Sequence, residues 1–399
     1  MRISKINTQY NSNLNFKTPL KPVKNEGNQV SQPIKTTELP LGFNTLYNVS
    51  FSSKYNPNRL VGDVDLETYY TMTERTKERY RRAYKSFSKN EAIDKEELID
   101  PKDPHIPMQS DELLDEFIKT SSIYLKYKDQ PIICLGRSPK WFLNTAFWMK
   151  DGLPEYKFVA FSGYWYQQNS KDGAKRMDKQ APTLEEELAY RNYLKKIGVT
   201  PRRIVDTMKK EGKKTVITDY VCSGKGFCSF LDIMSRFAKD EGLLEEFSKS
   251  IQIVSIGSIE YMEELNPYAD DIPTPTVPMP ELLEPYANNI KQEFHDMDYR
   301  VHREILMNRN TNECRSTYYP HRVWTIFEPY VLKVGMGTSL EEIFKLLREL
   351  EGNRYEANFK PAMGDFRNLL NFRILDYLHS KDMLRDCKSL ENNYSCFRN

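Results

Sequence analysis

The sequence predicts an α/β fold, a mainly parallel sheet with helices on both faces, carrying added N- and C-terminal helices. Two observations predict it. Short apolar runs recur at residues 131–136, 156–161, 213–221 and 251–256, and segments of helical spacing separate them. Runs without polar alternation are what strands covered on both faces require, and strands alternating with helices pair in parallel.

Residues 1–55 are rich in Asn, Ser, Thr, Lys and Pro and follow neither a helical nor a strand period. Such a segment cannot bury enough apolar surface to offset its ordering entropy, so it is expected to be a disordered leader. Its apolar patch at 46–51 is expected to mark where the chain reaches the folded body, the alternative being a docking element. Residues 56–110 are expected to hold a basic amphipathic helix at 63–88 and a linker, because Pro101, Pro104 and Pro107 exclude helix.

The core is expected at 111–260. Helical spacing covers 111–127, with Leu113, Leu114, Phe117 and Ile118 on one face, and a buried strand follows at 131–136. A helix at 141–149 and a strand at 156–161 come next, then an exposed polar loop at 166–182 with Lys171, Lys175, Arg176 and Lys179. Helices at 184–197 and 201–210 follow, the second with Thr200 as N-cap and Pro201 at its first position. The strand at 213–221 turns through 222–226 into a helix at 227–237, and the last core strand is 251–256. An irregular extension is expected at 261–335, with six prolines from Pro267 to Pro285 and a final strand at 324–334. A C-terminal helical segment at 336–399 has helices at 339–350 and 366–378, the first opened by a Ser339/Glu342 capping box.

Charge and composition exclude several functions. Of 58 Lys and Arg and 56 Asp and Glu in 399 residues, eight basic and two acidic residues fall in the first 60, so the remainder is slightly acidic. General nucleic-acid binding and anionic-membrane binding need a broad basic field and are not expected. No apolar stretch reaches the ~18 residues of a membrane span, and a cytoplasmic protein is expected. The six cysteines and five histidines are scattered without metal-ligand spacing, so neither a disulfide framework nor a transition-metal site is expected.

The segment 216–226 carries the chemistry. Gly224 and Gly226 permit positive φ and close backbone approach, Ser223 offers a hydroxyl, Lys225 a charge, and the following helix start presents amides to an anion. A Walker loop is excluded, because Asp219 occupies its first glycine position and Gly226 follows the lysine. A dinucleotide fingerprint lacks its third glycine, and a cysteine-phosphatase loop from Cys222 would end in Cys228 instead of arginine.

Three apolar-type strand residues, an acid and a Ser-Gly turn into a helix resemble the phosphoribosyl-diphosphate loop of type I phosphoribosyltransferases. The resemblance covers about residues 130–260. It implies that Asp219 holds ribose hydroxyls, as the catalytic acid, and that Cys222, Ser223, Gly224, Lys225 and Gly226 cradle a 5′-phosphate. Tyr220 stands where the family has a second acid. The resemblance further implies a diphosphate-contacting loop at Arg137 and Ser138, and a loop closing over substrate at 166–182 with Lys171, Lys175 and Arg176. It implies phosphoribosyl transfer between diphosphate and a nitrogen base, with Mg²⁺ carried in by the substrate. The alternative is a non-catalytic nucleotide- or phosphate-binding regulatory or interaction protein on the same fold.

Three further features remain. Residues 315–322 gather Arg315, His321 and Arg322 as candidates to complete a phosphate site; Tyr164, Trp165 and Tyr166 could stack a base or pack; and Cys222, near a helix start, is expected to have a lowered pKa if it is reactive. The leader and the basic helix are candidates to hold a protein partner. Limited proteolysis is expected to remove residues up to about 55 and leave a resistant fragment starting near residue 60; protection of the whole leader would contradict its compositional reading.

Overall fold

Thr215, Val216, Ile217 and Thr218 are β-branched in a row, which suits extended backbone, and in the computed structural model they form the buried centre of a sheet. The structure describes residues 64–88, 108, 110–136, 138–159, 161, 166–169, 173–176, 181–264, 275–307, 324 and 362–386. The main strands are β1 (Ile132–Leu135), β2 (Lys157–Val159), β5 (Thr215–Tyr220), β6 (Ile251–Gly257) and β7 (Lys291–Asp296). They pair in the order β2-β1-β5-β6-β7, and every pair is parallel. The expected α/β class with a parallel sheet is what forms.

Strand parity divides the core. Ile217, Val221, Ile251 and Ile253 join one apolar cluster, together with α5 (Leu184–Lys196), α6 (Pro201–Glu211) and α7 (Lys225–Asp240). Val216, Val254 and Ile256 join the other, with α3 (Asp111–Ser122), α4 (Lys140–Trp148) and α11 (Ala362–Ser380). The Tyr124 and Thr218 hydroxyls meet at 2.8 Å inside that second layer, so a buried polar pair is satisfied. On the first layer, Glu187 of α5 pairs with Arg191 and with Arg236 of α7 at 2.6 Å, clamping the two helices.

Caps fix most helix starts. Ser110 caps α3, Thr183 and Glu186 form a capping box on α5, and Thr200 precedes Pro201 at the start of α6. The basic segment at 63–88 is two helices, α1 (Leu66–Thr71), capped by Asp65, and α2 (Glu74–Ser88). They pack on α11. Asn368 accepts the Val64 N–H and Asn371 donates to the Val64 carbonyl, both at 3.0 Å, while Arg81 and Tyr69 bond Asp376.

Several segments differ from the sequence expectation. The stretch expected to be an exposed loop contains an antiparallel hairpin, β3 (Tyr166–Asn169) and β4 (Gly173–Arg176), with β3 alongside α7. The stretch expected to be irregular contains β7, a polar edge strand, followed by α10 (Tyr299–Val301) and a π-helical turn at His302–Met307. Two short helices not expected from the pattern, α8 (Leu244–Ser250) and α9 (Ile259–Glu264), flank β6. The leader, the linker expected at 99–107 and the helix expected at 339–350 lie outside the described residues, as does the strand expected at 324–334 apart from Trp324, which stacks on Tyr190 at 4.1 Å. Among the described residues no helix is long and apolar enough to cross a membrane.

Replacing Asn368 and Asn371 together by Ala leaves both main-chain groups of Val64 buried without partners. Each such loss costs about 1–3 kcal/mol. The double variant is therefore expected to melt several degrees lower in a thermal denaturation scan, and an unchanged melting temperature would show that this docking contributes nothing.

Candidate functional site

From β1 the chain passes through α4 to β2 on one side, and from β5 it passes through α7 to β6 on the other. The two crossovers run over opposite faces, since α4 packs in one cluster and α7 in the other. A crevice opens at the carboxyl ends of neighbouring strands whose crossovers diverge in this way. By this rule the switch point lies between β1 and β5, with Gly136, Ser138 and Pro139 following one strand and Val221–Gly224 following the other.

Both helices that start at this rim lack a side-chain N-cap: α4 is preceded by Pro139 and α7 by Gly224, whereas α1, α3, α5 and α6 are capped by Asp65, Ser110, Thr183 and Thr200. A helix start carries positive partial charge and favours a nearby anion. The helix after β5 begins at Lys225, so Lys225 and Gly226 belong to its first turn instead of to the loop expected to precede a helix at 227.

The two glycines of the turn serve different purposes. Gly224 has φ +70° and lies against residues 276–278; a Cβ there would stand 2.7 Å from Pro278 Cδ and 3.3 Å from Val277 Cα. Gln292 of β7 holds that strap by accepting the Val277 N–H at 2.9 Å and donating to its carbonyl at 3.1 Å. Gly226 is exposed, and a Cβ there would meet nothing within 4 Å. The open approach to the turn is therefore at Gly226. Ser223, Cys222 and Lys225 are half-buried beside it, and Ser138 is half-buried on the β1 side of the rim.

Asp219 is at the carboxyl end of β5, half-buried, and accepts the Tyr220 N–H at 2.7 Å. Burial pushes its carboxyl up to about 8. A carboxyl so placed costs stability when ionised, and such perturbed groups cluster at functional sites. Tyr220 points to the other face, where its hydroxyl meets His302 Nε2 at 2.7 Å. The sequence expectation for Cys222 is corrected: burial pushes its thiol up, so the half-buried side chain is not a ready thiolate despite its place near a helix start.

Arg137, Lys171, Lys179, the segment 315–322 and residues 162–165 lie outside the described residues. Lys175 and Arg176 belong to β4, and Tyr166 opens β3. Sequence reading singled out neither His302 nor Gln292, because each is one polar residue in a polar stretch and no motif marks it. No family model, curated protein or solved structure matches this chain.

The buried proton on Asp219 gives a stability test. The folded chain keeps that proton between about pH 4 and pH 8 while the unfolded chain releases it, so this group's contribution falls as pH rises. Asp219→Asn is expected to be nearly neutral at the acid end and to raise stability by about 1–3 kcal/mol at the alkaline end, after discounting for partial exposure. Melting curves across that range check it; a variant that is less stable at pH 8 would refute the assignment.

Proposed function

We propose that the crevice binds a 5′-phosphorylated ribose, as phosphoribosyl diphosphate or a nucleotide, and that the protein is a phosphoribosyltransferase-like transferase. The observation that carries this reading is that the helices after two neighbouring strands both start without a side-chain cap, with a perturbed carboxyl, Asp219, at the end of one of those strands. The hairpin inserted between β2 and the motif strand agrees with it, because the family resemblance requires a closing loop at that point in the chain.

In this reading the first turn of α7, with Ser223, Lys225 and Gly226, takes the 5′-phosphate. The turn before α4, with Arg137 and Ser138, takes the diphosphate. Asp219 accepts a ribose hydroxyl, and a neutral or ionised carboxyl can do so. Transfer to or from a nitrogen base passes through an oxocarbenium-like transition state, which positioning and electrostatics stabilise without a covalent nucleophile. Among the described residues no three His, Cys, Asp or Glu side chains gather as a metal-binding set. The donors present fit Mg²⁺ arriving on the diphosphate, where it would offset the charge of the leaving group.

A second reading is favoured by one residue. Tyr220 occupies the place of the second acid and its hydroxyl bonds His302, which suits a module that binds the ribose phosphate without turnover. Release of diphosphate from phosphoribosyl diphosphate, assayed with Mg²⁺ and a panel of bases, separates the two.

Phosphoribosyl diphosphate with Mg²⁺ at ~100 times its Kd is expected to stabilise the fold by about 2.7 kcal/mol. For a domain of this size that raises the melting temperature by roughly 5–10 °C. Gly226→Val is the discriminating variant: the fold has room for the side chain, so melting without ligand should be near that of the parent, while the ligand shift should vanish. Gly224→Val would instead collide with the strap and confound binding with folding. A full ligand shift in Gly226→Val would remove the α7 start from the site.

A further inference from the structure

Gln292 stands on β7 in register with Ile253, on the face of the sheet that carries α7. An apolar side chain there would extend the buried cluster that Ile253 and Val277 share, yet the residue is an amide with both ends engaged. Its Oε1 accepts the Val277 N–H at 2.9 Å and its Nε2 donates to the Val277 carbonyl at 3.1 Å. One side chain thus does for Val277 what a neighbouring strand would do. A strand is not open to this segment, because Pro275, Pro278 and Pro280 have no N–H to give a ladder. The same prolines stiffen it, since each fixes its own φ.

The strap then meets the turn before α7. A Cβ on Gly224 would stand 2.7 Å from Pro278 Cδ, 3.3 Å from Val277 Cα and 3.4 Å from the Thr276 carbonyl oxygen, so the contact excludes any side chain. Gly224 is buried at φ +70° and is the residue from which α7 departs, because its carbonyl accepts the Cys228 N–H at 2.9 Å, the first bond of the helix. Val277 is therefore held on two sides. Gln292 holds it by its main-chain groups, and its Cα lies against Gly224.

We infer that Gln292 is the positioning residue of this turn: by holding Val277 against Gly224 it keeps residues 222–226 in the conformation that takes a phosphate. This rests on the reading of the α7 start as the 5′-phosphate site. Gln292 acts through Val277 and needs no contact with the ligand. Without its two bonds the strap is free to withdraw, and the turn must be ordered each time an anion binds, a cost drawn from affinity. The phosphate end bears that loss. The sugar end does not, because Asp219 belongs to β5 and is held by the sheet.

Gln292→Met keeps the length of the side chain and removes both hydrogen bonds. Isothermal titration of the full chain, at a temperature where parent and variant are both folded, is expected to show inorganic phosphate and ribose 5-phosphate weakened by the same factor, about five- to thirtyfold. Gln292→Glu still accepts the Val277 N–H but when ionised cannot donate to its carbonyl, and is expected to lose affinity in the same direction. Hydrogen exchange of either variant without ligand is expected to quicken in the peptide over residues 222–230, which holds the Cys228 amide, and to stay as in the parent over β5. A purely structural role would lower the melting temperature and leave both phosphate affinities alone. Parent-like phosphate affinity in the variants overturns the inference while the crevice reading stands, whatever exchange shows. No binding of either ligand by the parent overturns the crevice reading, and the role of Gln292 with it.

Discussion

Two crossovers that leave neighbouring strands in opposite directions cannot both cover the ends of those strands. That constraint, set between β1 and β5, organises the chain's chemistry. It leaves an opening at the carboxyl edge and brings two helix starts to it, and it does so because right-handed connections place α4 on one face and α7 on the other. Elsewhere in the fold side chains close most helix starts. At this edge they do not: neither Pro139 nor Gly224 caps the helix that follows it with a side chain. The accessory helices serve the same arrangement from behind: α11, α1 and α2 complete the apolar layer beneath α4 and keep that face of the sheet dry.

Against this background Asp219 is costly. A carboxyl raised to about 8 at the end of a strand whose other residues are β-branched or aromatic is not a packing choice, since threonine or valine would hold the strand at less expense. Proteins keep such groups where function needs a proton held or a hydroxyl recognised. Tyr220 and His302 repeat the pattern on the opposite face, where an imidazole nitrogen is left unmet to hold one phenol. Two such costly choices fall at consecutive residues of one strand, on its opposite faces.

The parts of the fold that were legible in the sequence are those whose environment is uniform. β6 is buried at all seven positions and β5 at its first four, so their apolar runs carry the signal directly. Thr183 with Glu186 and Thr200 with Pro201 mark helix starts by local chemistry alone. β7 was not legible because it is an edge strand, Lys-Gln-Glu-Phe-His-Asp, whose charged positions suit one open side and resemble a loop. The hairpin β3/β4 was lost for a similar reason, since a two-stranded polar ribbon has no apolar face to announce it. At the site, Asp219 and the turn were legible because their neighbours in sequence are their neighbours in space. His302 is 82 residues from Tyr220, and only the fold joins them.

The turn shows two glycines of one motif put to different uses. Sequence alone gives both the same reasons, positive φ and close backbone approach, and the φ of +70° at Gly224 bears out the first of them there. In the fold Gly224 is taken up by the protein's own strap, which Gln292 ties down through both main-chain groups of Val277. That contact holds the turn before α7 from the outside. Gly226, with nothing within 4 Å of a Cβ there, is the glycine at which the turn stays open. One glycine is needed by the fold's own packing and the other is not, so of the two only a substitution at Gly226 can separate the proposed binding from folding.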